Sequence, residues 1–169
     1  MEYSKLIEER YSVRKFKLDF IEEDKIKVLL DTVNYIPTAT NAQPERIYVL
    51  KSKESLDKMN KHANTYNAPL VLLICSDINT AWHNPKEDYD TSEMDGSITA
   101  TYLMLKACDL GLGSVWIRSF NSSDIKAEFD LPENIKPICL LAIGYASDDS
   151  KPSPRHYEKL PLEELIKYL

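Results

Sequence analysis

Two arginines flanking a serine near the start of the chain are the residues best suited to chemistry. Arg10, Ser12 and Arg14 are spaced by two, so in an extended segment their side chains point to one side and those of Tyr11 and Val13 to the other. Guanidinium forks match phosphate oxygens, and the serine hydroxyl adds a short donor. The segment is therefore a candidate cradle for a phosphate monoester; the alternative is a solvated basic surface.

The segment Pro37–Pro44 is a second candidate, because it combines small residues, short polar residues and two prolines. Asn41 and Gln43 each offer a donor and an acceptor, which suits polyol hydroxyls or the edge of a pyrimidine ring, while the prolines hold the backbone open. The alternative is an ordinary polar loop between a helix and a strand.

A third segment, Gly111–Ser119, runs from the end of a helix into a strand. Its two glycines do not make a dinucleotide fingerprint, which needs a third glycine and a following helix. Considered alone, Trp116 is better explained as a core residue.

Other titratable residues show no catalytic or metal-binding spacing. A run of acidic residues lacks the glycine of a calcium loop, which favours a solvated face or the start of a helix. These residues are Asp88, Asp90, Glu93 and Asp95. The histidines have no metal-ligand spacing and no nucleophile partner, so we expect them at the surface. They are His62, His83 and His156.

Composition favours one intracellular domain. At 169 residues with 43% hydrophobic positions, the chain can bury one core. A net charge of −6 argues against a general nucleic-acid or membrane-surface partner, which needs a broad basic face. No apolar run is long enough to cross a membrane, and Met1–Glu9 is charged where a signal peptide is apolar. The cysteines, expected as reduced core residues, are Cys75, Cys108 and Cys139. We expect a cytoplasmic protein without a bound metal.

Hydrophobic periodicity predicts helices and strands in alternation. The predicted helices are 2–9, 22–35, 53–61, 94–110, 122–129 and 162–169. The predicted strands are 46–51, 70–75, 114–117 and 138–143. The runs 70–75 and 138–143 are continuously apolar and should be central strands covered on both faces. Helix 94–110 is apolar around more than one stripe, so we expect it to be buried on most sides, with Gly111 as its left-handed cap.

In this order, the three segments resemble the FMN-dependent nitroreductase family over nearly the whole chain. Arg10-Tyr11-Ser12-Val13-Arg14-Lys15-Phe16 is similar to the family's phosphate motif, and Pro37–Pro44 to its Asn-x-Gln-Pro loop. Asp95–Leu110 is similar to its long interface helix, and 110–117 to its helix-to-strand segment. Lys151-Pro152-Ser153-Pro154-Arg155 and the leucines of the last stripe are similar to its C-terminal ending.

The resemblance implies an α+β fold, with a mixed central β-sheet flanked by helices, in an intertwined homodimer. Residues 1–169 would form a single FMN-binding domain. Its C-terminal tail, about 146–169, would pack on the core or on the partner subunit, because the apolar stripe that ends the chain needs cover.

The resemblance also assigns cofactor-binding residues. Arg10 and Arg155 would bind the FMN phosphate with support from Ser12, and Arg14 would contact the phosphate or the N1/O2 edge of the flavin. A loop from the other subunit would line the flavin with Pro37, Thr38, Ala39, Asn41 and Gln43. Further contacts are assigned to Tyr11, Trp116, Ile117, Arg118 and Ser119, with backbone N–H groups near the last two beside flavin N5.

The implied activity is that of an FMN-dependent NAD(P)H oxidoreductase of the nitroreductase or quinone-reductase type. Hydride would pass from NADH or NADPH to flavin N5 and then to a small-molecule acceptor, in ping-pong order, so no catalytic side chain is needed. Glu45 stands where many members have tryptophan, and Ala39 replaces a common serine. The resemblance therefore does not identify the electron acceptor. Two alternatives remain: a flavin-binding protein of this fold that is not driven by a nicotinamide, and a protein without flavin.

Overall fold

The computed structural model of the chain describes residues 1–169. Its α-helices are α1 (Tyr3–Glu9), α2 (Glu23–Asp31), α3 (Lys53–Asn60), α4 (Ser92–Asp109), α5 (Ser122–Glu128) and α6 (Leu162–Leu165). Its strands are β1 (Glu45–Leu50), β2 (Leu70–Asp77), β3 (Gly113–Ile117) and β4 (Ile135–Gly144). Short 3₁₀ helices lie at Thr32–Tyr35, Ala39–Asn41 and Pro154–His156. Every predicted helix and strand is present, and the largest departure is at the C-terminus.

The four strands form one sheet in the order β1-β2-β4-β3, and each neighbouring pair is antiparallel. The central strands β2 and β4 are paired from Leu70 with Ile143 to Asp77 with Ile135, with one irregularity after Ile74. Both are buried along almost their whole length. This confirms the prediction that the two continuous apolar runs are central strands.

A short extended segment after α1 adds a parallel neighbour to this antiparallel sheet. Ser12 forms a parallel bridge to Ser114 of β3, and Phe16 forms an antiparallel bridge to Ala146, just after β4. The α+β fold expected from the sequence is therefore confirmed. The parallel component of its sheet is limited to this edge, where the segment Arg10–Arg14 lies.

Each face of the sheet is covered by two helices. On one face, α2 and α4 pack on β2 and β4 through Leu29, Leu103, Leu72, Leu141 and other buried residues. On the opposite face, α3 and α5 pack on the same strands through Met59, Ile125, Leu73, Leu140 and their neighbours. Burial of each large apolar side chain contributes about 1.5–3 kcal/mol, so these two layers hold the sheet in place.

Helix α4 is buried on one side only, so the expectation that it is covered on most sides is wrong for a single chain. Its inner side includes Gly96, where an added Cβ would lie 2.9 Å from Ile138 Cγ1. Its outer side exposes Met94 and Tyr102, which are 52% and 40% exposed. The helix ends as predicted, because Gly111 adopts a left-handed φ of 76°.

The last apolar stripe forms much less helix than predicted. Helix α6 has four residues, and Ile166 is already extended. The stripe is exposed throughout, including Leu162 and Leu165. A helix this short is unstable without a packing partner, and no part of the same chain covers it. The expected helix over 162–169 is therefore wrong beyond its first turn.

The cysteines differ in burial. Cys75 and Cys139 lie in the core as expected, and burial raises the pKa of each thiol to about 12. Cys108 on α4 is only half-buried, and the pKa of its thiol is raised by the same effect. None of the helices combines the length and the apolar character needed to cross a membrane.

Candidate functional site

A cavity of about 620 Å³ gathers basic side chains from both ends of the chain. No hydrophobic residue lines it. Its lining consists of Arg10, Ser12, Arg14, Ser153, Arg155, His156 and Lys159. Four of the residues assigned to the phosphate site by sequence therefore face the same space, although Arg155 is separated from the others by most of the chain.

The N-terminal wall of the cavity is held by β3. Helix α1 ends when Arg10 becomes extended, with φ −61° and ψ 129°. The N–H of Val13 then donates to the carbonyl of Ser114 at 2.9 Å, and the Val13 side chain is buried. Since side chains alternate along an extended segment, burial of Val13 leaves Ser12 and Arg14 directed to the cavity side.

The C-terminal wall is held by the same N-terminal segment. The N–H of Lys17 donates to the carbonyl of Tyr145 at 2.8 Å, and the N–H of Ser147 donates to the carbonyl of Lys15 at 3.0 Å. The hydroxyl of Tyr11 donates to Ser150 Oγ at 3.2 Å. These bonds bring the chain back beside its own beginning and lead it into the 3₁₀ helix that carries Arg155.

The charges of the cavity are not compensated by the protein. Most lysines of the chain pair with a carboxylate, but the cavity's Arg10, Arg14, Arg155 and Lys159 form no such pair. In a chain of net charge −6, this is a local concentration of unpaired positive charge. Such a cluster attracts an anion and can donate several charge-assisted hydrogen bonds to it.

The loop 37–43 has an unusual backbone. Thr40, Asn41 and Gln43 all have left-handed φ values, of 52°, 56° and 51°. Two bonds stabilise the turn internally: the N–H of Asn41 donates to the carbonyl of Thr38, and the N–H of Gln43 donates to Thr38 Oγ1, both at 3.0 Å. Pro37, Thr40, Asn41 and Gln43 are exposed, whereas Ala39 is half-buried. None of them lines the basic cavity of the same chain.

The residues at the end of β3 and just after it also lie outside that cavity. Trp116 is half-buried against the core cluster of α2 and α4, and Ile117 is buried on the other side of the sheet. Arg118 is exposed, with its guanidinium 4.8 Å from the centre of the Phe120 ring. Ser119 borders a separate cavity of about 490 Å³. Cofactor contacts by Tyr11 and by these residues stay predictions.

Comparison with known proteins identifies the family of this chain. The sequence model described as "Nitroreductase family" matches residues 7–65 and 58–145. The chain belongs to the nitroreductase family. Its fold matches a solved nitroreductase-family structure from Clostridium difficile 630 with a TM-score of 0.94 and 38% identity, covering 99% of this chain and 98% of the other.

Two further nitroreductase relatives carry informative names. A structure from C. difficile R20291 titled an FMN-dependent nitroreductase is 27% identical, covers 89% of this chain and 90% of its own, and has a TM-score of 0.76. A protein of Archaeoglobus fulgidus, provisionally named NADH dehydrogenase/NAD(P)H nitroreductase, is 29% identical over 86% of both chains.

Several features of the site in this nitroreductase are not predicted by its sequence. His156 is partly exposed, in line with the prediction that it lies at the surface, and it also lines the basic cavity with Ser153 and Lys159. The basic character of His156 and Lys159, and the position of all three residues near Arg155 in the sequence, could have indicated them. Asp95 was expected on a solvated face or at a helix start; it lies in the first turn of α4, but it is only 1% exposed.

Proposed function

We propose that this chain is an NAD(P)H oxidoreductase that holds FMN by its phosphate in the basic cavity. The observation that carries the proposal is the set of positive charges on Arg10, Arg14, Arg155 and Lys159 that no carboxylate neutralises, joined by the hydroxyl of Ser12. No carboxylate lines the cavity. A lining of positive charges and hydroxyls without a carboxylate fits a phosphate dianion better than a neutral ligand or a planar carboxylate.

The residues of the chain would bind and orient the cofactor. Arg10 and Arg155 would hold the phosphate, Ser12 would add a hydroxyl donor, and Arg14 would reach the phosphate or the N1/O2 edge of the flavin. Backbone N–H groups near Arg118 and Ser119 would lie beside N5. When bound, FMN supplies the hydride-transfer chemistry, so the protein needs no acid–base pair of its own.

A second copy of the chain would complete the site. The loop 37–43 has four exposed residues and does not reach the basic cavity of its own chain, which supports its use in the partner's cavity. The exposed apolar residues on α4 and in the tail support the same homodimer, because such surfaces are normally covered. We propose one domain over 1–169, with the tail packed on the partner subunit.

NADH or NADPH and the acceptor would occupy the same face of the flavin in turn, which predicts ping-pong kinetics. Nitroaromatics and quinones are the acceptor classes to test first. The proposed role does not require another macromolecule, and the expected location is the cytoplasm.

The test is an anaerobic visible absorbance spectrum of the protein with FMN, recorded before and after NADH or NADPH is added. Bound flavin that loses its absorbance and regains it with a nitroaromatic or a quinone would support the proposal. Bound flavin that resists both nicotinamides would favour the flavin-binding alternative. Failure to bind FMN would remove the cofactor from the proposed function.

Arg10→Ala should weaken FMN binding by about 1.5–3 kcal/mol, because it removes a charged donor to the phosphate. Lys27→Ala is a matched control, since Lys27 is exposed on α2 and lies outside the cavity. Fluorescence titration with FMN measures both affinities. Equal losses in the two variants would indicate a general charge effect instead of a contact.

A further inference from the structure

Asp95 is the only acidic or basic residue of the chain that is buried. It lies in the first turn of α4, where it is 1% exposed. A buried carboxylate is costly unless hydrogen bonds satisfy it. The cost of burying Asp95 therefore depends on which groups donate hydrogen bonds to its two carboxylate oxygens.

Both oxygens of Asp95 are used, and each is bound by a different segment. Oδ2 accepts from the hydroxyl of Thr91 at 2.7 Å. Oδ1 accepts from the backbone N–H of Ala39 at 3.0 Å, across 56 positions of sequence. The buried carboxylate therefore ties the loop 37–43 to the beginning of α4.

The hydrogen bond from Ala39 to Asp95 lies next to the part of the loop with the most unusual backbone. Three of the four residues that follow Ala39 have left-handed φ values, and none of them is glycine. Left-handed φ is sterically unfavourable for residues that carry a Cβ, although asparagine tolerates it better than most. The far end of the turn is held by Arg46 Nη1, which donates to the carbonyl of Gln43 at 3.2 Å. Strained backbone persists only where the surroundings fix it.

We propose that Asp95 is a positioning residue that sets the orientation of this loop toward the flavin in the partner's cavity. The inference rests on the proposed function, in which the exposed residues of the loop line the cofactor. The side chain of Asp95 accepts hydrogen bonds only from Thr91 and Ala39 and would act through the backbone of the loop. Its loss should therefore weaken FMN binding in the opposite subunit of the dimer.

Single variants give the first test. Asp95→Ala should raise the Kd for FMN by about tenfold or more, the usual size for the loss of a hydrogen bond to a charged group. Asp95→Asn keeps one oxygen for the Ala39 N–H and should stay within about threefold of wild type. Glu93→Gln removes a charge from the same helix turn at an exposed position and is the control. Equal affinities for Asp95→Ala and wild type would overturn the inference.

A mixed dimer separates positioning from general damage. Asp95→Ala and Arg10→Ala chains carrying different tags are co-expressed, and the dimer holding both tags is isolated. One of its two cavities would combine an intact Arg10 with an intact partner loop, and the other would carry both defects. We expect one tight FMN site per mixed dimer and none in either parent dimer.

The outcomes are distinct. Recovery of one tight site cannot occur if Asp95→Ala merely unfolds its own chain or acts on its own cavity. A mixed dimer without a tight site, or chains that do not associate, would overturn the inference while leaving FMN binding by wild type intact. Wild type that binds no FMN would overturn the proposed function and the inference with it.

Discussion

Gly113 lets the segment Arg10–Arg14, the proposed phosphate cradle, approach the sheet, and replacing Gly113 by alanine should displace that cradle. An added Cβ would lie 2.6 Å from Val13 Cγ2 and 2.9 Å from Val13 Cβ. Because Val13 Cβ is fixed to the backbone, rotation of the side chain cannot relieve the overlap. The segment that carries Arg10, Ser12 and Arg14 would have to move instead.

The size of the effect follows from these distances. Carbon atoms pack at about 3.5 Å, so Val13 would have to move by about 0.6–0.9 Å. Overpacking of this kind costs about 1–3 kcal/mol of stability. The displacement would also disturb charge-assisted hydrogen bonds to the proposed phosphate, and the loss of one such bond costs about 10- to 100-fold in affinity. We therefore expect Gly113→Ala to raise the Kd for FMN by about 10- to 100-fold.

Fluorescence titration and thermal melting on the same samples test this reasoning. Gly111→Ala is the control, since no atom lies within 4 Å of the added Cβ but φ is 76°. It should lose about 1–2 kcal/mol of stability without a change in FMN affinity. Adding Val13→Ala to Gly113→Ala removes the clashing methyl groups and should recover part of the binding. If Gly113→Ala bound FMN within about twofold of wild type, the cradle would not depend on this contact.

Three further predictions concern charge, pH and packing. Lys159→Ala should weaken FMN binding by up to about tenfold and make the affinity less dependent on salt, measured by titration at two ionic strengths. Burial raises the pKa of the Glu45 carboxyl above its ordinary value of 4.5, so the folded chain holds this proton more tightly and loses stability as the pH rises from that value through the higher folded pKa. Glu45→Gln should therefore melt above wild type at neutral pH, and the difference should vanish under acidic conditions, whereas the exposed Glu8→Gln should show neither effect. Leu103→Ala, which empties a fully buried position between α4 and the sheet, should cost about 2–5 kcal/mol in denaturant unfolding.

The elements that sequence alone predicts well are those determined by local pattern. Continuous apolar runs identified β2 and β4 because a strand covered on both faces needs no polar alternation. Gly111 was predicted as a cap because few other residues adopt left-handed φ without cost. Alternation along Arg10–Arg14 likewise predicted which side chains share a face, and three of them line one cavity.

The features that sequence missed depend on distant or external partners. Nothing near Asp95 in sequence shows that a backbone N–H 56 positions away satisfies its carboxylate. The apolar residues of α4 and of the last stripe indicate that cover is needed, but periodicity does not say which chain supplies it. His156 enters the cavity because Tyr145 and Ser147 pair with residues near the chain's beginning, a contact that no local pattern encodes.

The meeting of the two ends of the chain at the basic cavity also governs when that cavity can form. Tyr11 and Ser150, which form a hydrogen bond beside the cavity, are 139 positions apart. Forming this contact therefore closes a long loop and has an entropic cost. A ribosome must release the chain beyond Arg155 before the cavity has both of its walls. An anion that binds there as proposed would select chains that have finished folding and would in turn stabilise the folded state.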